Sequence, residues 1–171
     1  MSMSTDQFSQ LLGDSSIVEP QYDVVAGHWP QAYNEVVLVL SGQGRSSDYL
    51  LYLLGLKDYS QLEAMVRQFA NEEEVVVPEG ETEVTYEQIM GVKLRVVNPA
   101  DFYRYDDEYK VWVNKSDDDA FMARLVEEGE ELVIAGIVRP NPDAKVTALS
   151  SGLYYSPDLI THLVEYAEGT T

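Results

Sequence analysis

The stretch Tyr22 to Leu40, YDVVAGHWPQAYNEVVLVL, decides the fold. Tyr22 to Ala26 reads as an extended run, Gly27 and Pro30 supply turn chemistry, and Val36 to Leu40 is apolar at every position. A continuous Val/Leu run suits a strand buried on both faces. It is expected to be the central strand of a sheet, with the two extended runs meeting at a corner. The fold class expected from it is α+β: an α/β-like mixed sheet with helices packed on it.

Working outward, Ser4 to Leu12 reads as a short helix, with Ser4 or Thr5 as cap, Phe8, Leu11 and Leu12 at helical spacing and Gly13 as terminator. On the other side, Ser41 to Ser47 is a Gly-containing turn into a helix over 48–54. Asp58 to Ala70 is an amphipathic helix whose stripe is Tyr59, Leu62, Met65, Val66 and Phe69. Val75 to Val77 is expected as a short strand and 78–81 as a solvated turn. Thr85 and Gln88 have the spacing of a capping box, with Tyr86, Ile89 and Met90 pointing inward, and Gly91 breaks that helix before a strand over 92–97. A strand over 109–113 and a helix capped by Ser116 or Asp117 follow, the helix carrying Phe121, Met122, Leu125 and Val126 on one face and ending at Gly129. ELVIAGIVR, Glu131 to Arg139, is a second buried strand, and Pro157 to Ala167 closes the chain as an amphipathic helix with Leu159, Ile160, Leu163 and Val164.

Composition narrows the function classes. Hydrophobic residues make up 45% of the chain and there are 12 Tyr, which argues against disorder. With 11 basic and 30 acidic residues the formal charge is −19, so the mean surface field repels phosphate backbones and anionic lipid headgroups, and no nucleic-acid partner is expected. The absence of cysteine excludes disulfides, thiolate metal sites and cysteine redox chemistry. No apolar run reaches the roughly 18 to 20 residues that span a bilayer, and the N-terminus lacks a basic region followed by an apolar one. The chain as it stands is expected to be soluble.

Several segments, in order, carry a resemblance. Ala26-Gly27-His28-Trp29-Pro30 followed by Asn34-Glu35-Val36-Val37-Leu38 resembles the "G-x-W/F-P … N-E-V-V-L" segment in extracytoplasmic domains of FtsX/MacB-like ABC transporter permeases, the large Gram-positive ones above all. Leu51-Tyr52-Leu53-Leu54-Gly55-Leu56 is similar to the "L-Y-x-L-G-L" element that follows it there. Ile89 to Val97 with Phe102-Tyr103 is similar to a later "L-G-x-x-F/L-x-V-V … Y-Y" block. Glu131-Leu132, Ile134 and Gly136-Ile137-Val138-Arg139-Pro140, then 147–155, match most closely. The matches run from about residue 20 to about 166.

The resemblance implies a compact domain like the MacB periplasmic core over 20–171, preceded by an N-terminal helix or linker over 1–19; the acidic turn near 78–83 is, from the residues themselves, the place for any subdomain seam. It implies a non-catalytic domain outside the cell membrane, with membrane spans lying outside these residues. Its implied partners are the rest of the permease, a cytoplasmic ATPase, and an extracellular protein, peptide or lipoprotein. The alternative is a self-standing acidic module that binds a basic protein or Ca²⁺.

No catalytic, cofactor or metal residues emerge from the sequence. Gly42-Gln43-Gly44 lacks the Lys of a phosphate-binding loop, and Asp48 stands where an anion would bind. His28 and His162 have no metal spacing and no nucleophile beside them. Ser150-Ser151-Gly152 is not a nucleophile elbow. The acidic runs 72–74, 106–108 and 117–119 lack the EF-hand pattern and suit a solvated face or a helix N-terminus. The nominated partner surface is Phe102, Tyr103, Tyr105, Tyr109 and Trp112, since Tyr and Trp favour recognition patches, although an inward-facing core explains most of these aromatics equally well.

Overall fold

The computed structural model describes residues 7–76 and 84–169. Its strands are β1 (Phe8–Gln10), β2 (Tyr22–Gly27), β3 (Glu35–Val39), β4 (Lys93–Val96), β5 (Tyr103–Asp106), β6 (Val111–Asn114), β7 (Glu130–Pro140) and β8 (Gly152–Tyr155). Its helices are α1 (Ser15–Val18), α2 (Asp48–Leu53), α3 (Tyr59–Ala70), α4 (Tyr86–Met90), α5 (Asp119–Glu128) and α6 (Pro157–Gly169). The fold is α+β. A six-stranded mixed sheet runs in the order β1-β8-β3-β7-β2, with β4 also pairing with β7. β5 and β6 form a separate two-stranded hairpin.

β3 is the central strand, as its apolar run predicts. Val36, Val37, Leu38 and Val39 are all 0% exposed. The alternation of a strand sends Val36 and Leu38 to one face, where, with Leu40, they meet Leu50, Leu54, Ile89 and Leu159 of the helical layer. Val37 and Val39 go to the other face, against Val18, Tyr22, Leu149 and Tyr154. That second face is covered by a short helix and loops, stitched by the Tyr22 hydroxyl. It donates to Leu149 O at 2.8 Å and accepts from Leu149 N at 2.7 Å.

The expected corner between the first two extended runs has a different geometry. β2 and β3 do not pair with each other; β7 lies between them, antiparallel to β2 and parallel to β3. β7 is long enough to pair with three strands, and its register with β3 shifts between Val36 and Val37, leaving Ala135 unpaired in the ladder. His28 N donates to Ala135 O at 3.0 Å at this place. The chains approach so closely that a Cβ on Gly27 would lie 2.0 Å from Ala135 O, and one on Gly136 would lie 2.1 Å from His28 O. Gly27 also has φ +64°, a conformation that a Cβ disfavours.

Other expectations need correction. The described part of the helix expected over 4–12 is β1, which pairs parallel to β8 and so belongs to the sheet, and the helix that lies within 1–19 is α1. Phe8 at helical spacing from Leu11 misled because the sheet edge of β8 supplies hydrogen-bond partners that override local propensity. Residues 73–76 form no strand. The turn at 78–81 and the seam near 78–83 lie outside the described residues. The helix over 119–128 is capped by Asp118, whose carboxylate accepts from Phe121 N, and not by Ser116 or Asp117. Its Val126 is exposed, as are Ile160 and Val164 of α6, while Phe121, Leu125 and Leu159 are buried. The capping box of α4 is present, but Tyr86 is exposed and only Ile89 is fully buried there. α3 forms as expected with Asp58 as its cap, yet none of its residues is buried, and Tyr59, Val66 and Phe69 of its apolar stripe are exposed.

Candidate interaction surface

The five aromatics nominated from the sequence sit on and beside the β5–β6 hairpin. Phe102 ends the turn that leads into β5 and is half-buried. Tyr103 pairs with Asn114 and Tyr105 with Trp112. Alternation therefore puts Tyr103, Tyr105 and Trp112 on one face of the hairpin. The Tyr105 and Trp112 rings meet edge to face, 5.4 Å between centroids and 64° between planes. On the other face, the Arg104 guanidinium lies over the Phe121 ring at 5.1 Å, which turns that face toward α5. Tyr109 stands at the tip, where the Asp106 carboxylate accepts from Glu108 N and Tyr109 N.

Exposure separates this group from a core. Trp112 is 62% exposed and Tyr109 71%, while Tyr103 and Tyr105 are near 43% and 45%. A core explanation thus fails for these four, and the hairpin offers a raised aromatic face. The strand over 103–106 was not legible in the sequence. Its Arg and Asp interrupt any simple apolar alternation, and both strands are only four residues long.

Three long-range contacts seat the hairpin and α6 beside the sheet. Asn98, the one buried polar or charged side chain among the described residues, donates from Nδ2 to Leu163 O at 2.7 Å and accepts from Ala100 N at 3.0 Å. The Tyr166 hydroxyl donates to Asp101 at 3.0 Å, which raises its pKa, helped by partial burial and the nearby Asp101 charge. Glu130, at the start of β7, accepts from the Tyr33 hydroxyl and lies 2.8 Å from His162 Nε2. The Tyr33 and His162 rings stack with centroids 4.1 Å apart. The hydrogen bond to Glu130, then burial and the carboxylate charge, hold the Tyr33 phenol above its usual range. This cluster joins residues 97 positions apart, so no local signal pointed to it. The Glu130 carboxylate is engaged on both oxygens, one by the Tyr33 hydroxyl and one by His162. It works as a clamp between α6, β7 and the turn before β3.

The remaining sequence motifs resolve as follows. His28 is half-exposed, with Nδ1 2.8 Å from Trp29 O and 4.0 Å from Glu35. In the Ser41–Arg45 turn, Gly44 N already donates to Ser41 O and Ser41 N to Arg45 O, so these donors are not free for a phosphate. Asp48 is ion-paired with Lys57 at 2.8 Å. Two of the three acidic runs are partly engaged locally: Asp118 caps α5, Asp106 caps the hairpin turn, and Asp107 lies 3.6 Å from Lys110. Among the described residues no group of three or more His, Asp or Glu side chains is gathered as a metal site would require. Among them, too, no helix is long and apolar enough to cross a membrane. Comparison with protein-family models, curated proteins and solved structures finds no match to this chain.

Proposed function

We propose that this chain is a non-catalytic extracytoplasmic domain of an FtsX/MacB-like ABC transporter permease, built like the MacB periplasmic core. The observation that carries the proposal is where the resembling segments lie. Residues 22–27, 35–39, 130–140 and 152–155 are four contiguous strands of one sheet, β8-β3-β7-β2. Segments scattered over the chain thus converge on a single structural unit, as a shared fold would require, whereas chance matches of short apolar runs carry no such demand.

In this role the domain couples motion. β1 is hydrogen-bonded into the sheet edge, and α6 is tied to it by Leu159, the Asn98–Leu163 bond and the Glu130–His162 contact. Displacement of membrane helices joined to either side, driven by ATP hydrolysis on a separate cytoplasmic subunit, would move the sheet as a rigid body. The exposed Tyr/Trp face of the hairpin would meet the extracellular protein, peptide or lipoprotein. The domain itself needs no cofactor in this mechanism.

The test is to read the gene on both sides of these residues and to locate the product in intact cells. An apolar span of about 20 residues before them, further spans after them, and protease sensitivity from outside the cell are the expected results. Flanks without spans, or a product confined to the cell interior, would replace the proposal with a self-standing acidic binding module.

A further inference from the structure

The charge of −19 makes any gathering of cations on this protein conspicuous. Five of its 11 Lys and Arg side chains, Lys57, Lys93, Arg95, Lys110 and Arg139, have a carboxylate within 4 Å. Of the six with no ion pair among the described residues, Arg104, Lys115 and Arg124 line one cleft of about 360 Å³. They come from three separate elements: β5, the loop after β6, and the second half of α5. Among the described residues, no carboxylate lies within ion-pair distance of these three cations, although the chain has 30 acidic residues.

Local geometry holds them there. Arg104 is laid over the Phe121 ring, and Lys115 is pinned by its backbone N–H, which donates to Phe102 O at 2.7 Å. Two carboxylates also line the cleft. Asp118 is engaged as the cap of α5, and Glu128 is shared with an adjoining cleft of about 510 Å³. Neither comes within ion-pair distance of the three cations. Like charges facing one another raise the energy of the empty cleft, and an anion bound between them removes that repulsion.

We infer that this cleft binds a phosphoryl oxyanion carried on a small organic group. Two guanidinium forks and an ammonium from three separate elements, all lining one cleft, match the several oxygens of a phosphate, whereas a single carboxylate would occupy only one fork. The volume exceeds that of a bare oxyanion and lies at the lower end of the range for small-ligand sites, and Phe121 offers an apolar wall for the organic part. The inference does not rest on the permease proposal. A soluble phosphate ester and a phospholipid headgroup present the same chemistry, and the experiment separates them.

The probes are inorganic phosphate, followed by amide NMR shifts at constant ionic strength, and phosphatidylglycerol vesicles, followed by co-sedimentation. Saturable shifts centred on residues 104, 115 and 121–124 are expected. Lys115→Gln and Arg124→Gln should each weaken phosphate about tenfold, the loss of one charge-assisted contact. Arg45→Gln, outside the cleft, should change nothing. Vesicle binding lost in the same two variants makes a lipid the source; phosphate binding without vesicle binding makes it a soluble ester. Shifts reproduced by sodium chloride, or phosphate and vesicle binding both undiminished in the Lys115→Gln/Arg124→Gln double variant, overturn the inference. Arg45 and Arg124 are exposed and Lys115 is half-buried, and unchanged amide spectra outside the cleft establish that the variants fold.

Discussion

Replacing Gly136 by alanine probes the crossing that organises the sheet. The added Cβ would lie 2.1 Å from His28 O, 2.8 Å from His28 C and 2.9 Å from His28 N, where ordinary contact begins at 3.4 Å. All three atoms are backbone, so no side-chain rotation relieves the clash. β2 and β7 must separate by about 1.3 Å, a displacement the close-packed core resists. Overpacking of this kind costs about 1–3 kcal/mol. Separation also stretches the 3.0 Å bond from His28 N to Ala135 O and the neighbouring ladder bond, each worth about 1 kcal/mol. The sum is about 3–5 kcal/mol, which for a chain of this size lowers the melting temperature by about 6–20 °C. Thermal unfolding followed by far-UV circular dichroism, with urea midpoints as a second measure, reads the effect. Gly13→Ala is the control, because nothing lies within 4 Å of the added methyl there, and it should shift stability by no more than about 0.5 kcal/mol. A Gly136→Ala protein that melts within about 2 °C of the parent would refute the close approach of β2 and β7.

Three further outcomes follow from individual contacts. Asn98→Ala removes the partners of Leu163 O and Ala100 N and should cost about 1–3 kcal/mol in urea unfolding; Asn98→Asp should cost more at neutral pH, where a carboxylate faces Leu163 O, and recover part of the loss in acid, so a pH-independent Asn98→Asp would contradict the assigned bond. For Tyr33, the raised folded-state pKa means its contribution is present in full below the unfolded value of about 10 and is lost as pH rises through the folded value. The advantage of the parent over Tyr33→Phe should therefore hold up to about pH 10 and shrink as the pH is raised further, and a constant difference speaks against the Glu130 bond. Trp112 is 62% exposed whereas Trp29 packs against the second core cluster, so iodide should quench one of the two indoles, and Trp112→Phe should remove the quenchable fraction. Quenching that survives the substitution would show that the hairpin face is covered.

How much was legible depended on how local the determining physics was. Val36 to Leu40 could be assigned to a two-sided buried strand because an unbroken apolar run has no solvent face to offer. Thr85 and Gln88 marked a helix start because a capping box is a contact between residues three apart. Asp58 to Ala70 was legible as a helix from its period, but the fate of its stripe was not: periodicity states which residues share a face and says nothing about whether a neighbour covers it. Phe8 to Gln10 was misread for the same reason, since a three-residue strand is defined by the edge of β8 that it joins. The nominated aromatics were found from residue type alone, but their exposure was decided by the pairing of Tyr105 with Trp112 and by α5 taking the opposite face of the hairpin.

The sequence by itself determined the α+β class, the central strand, the absence of cysteine chemistry and the anionic surface, because each follows from composition or from contacts within a few residues. Only the tertiary structure decided that β7 separates β2 from β3, that Tyr33, Glu130 and His162 form a clamp, and that Arg104, Lys115 and Arg124 share a cleft. Each of those arrangements joins separate elements of the chain, and no periodicity or spacing encodes which distant elements will meet; the packing of the whole core selects them.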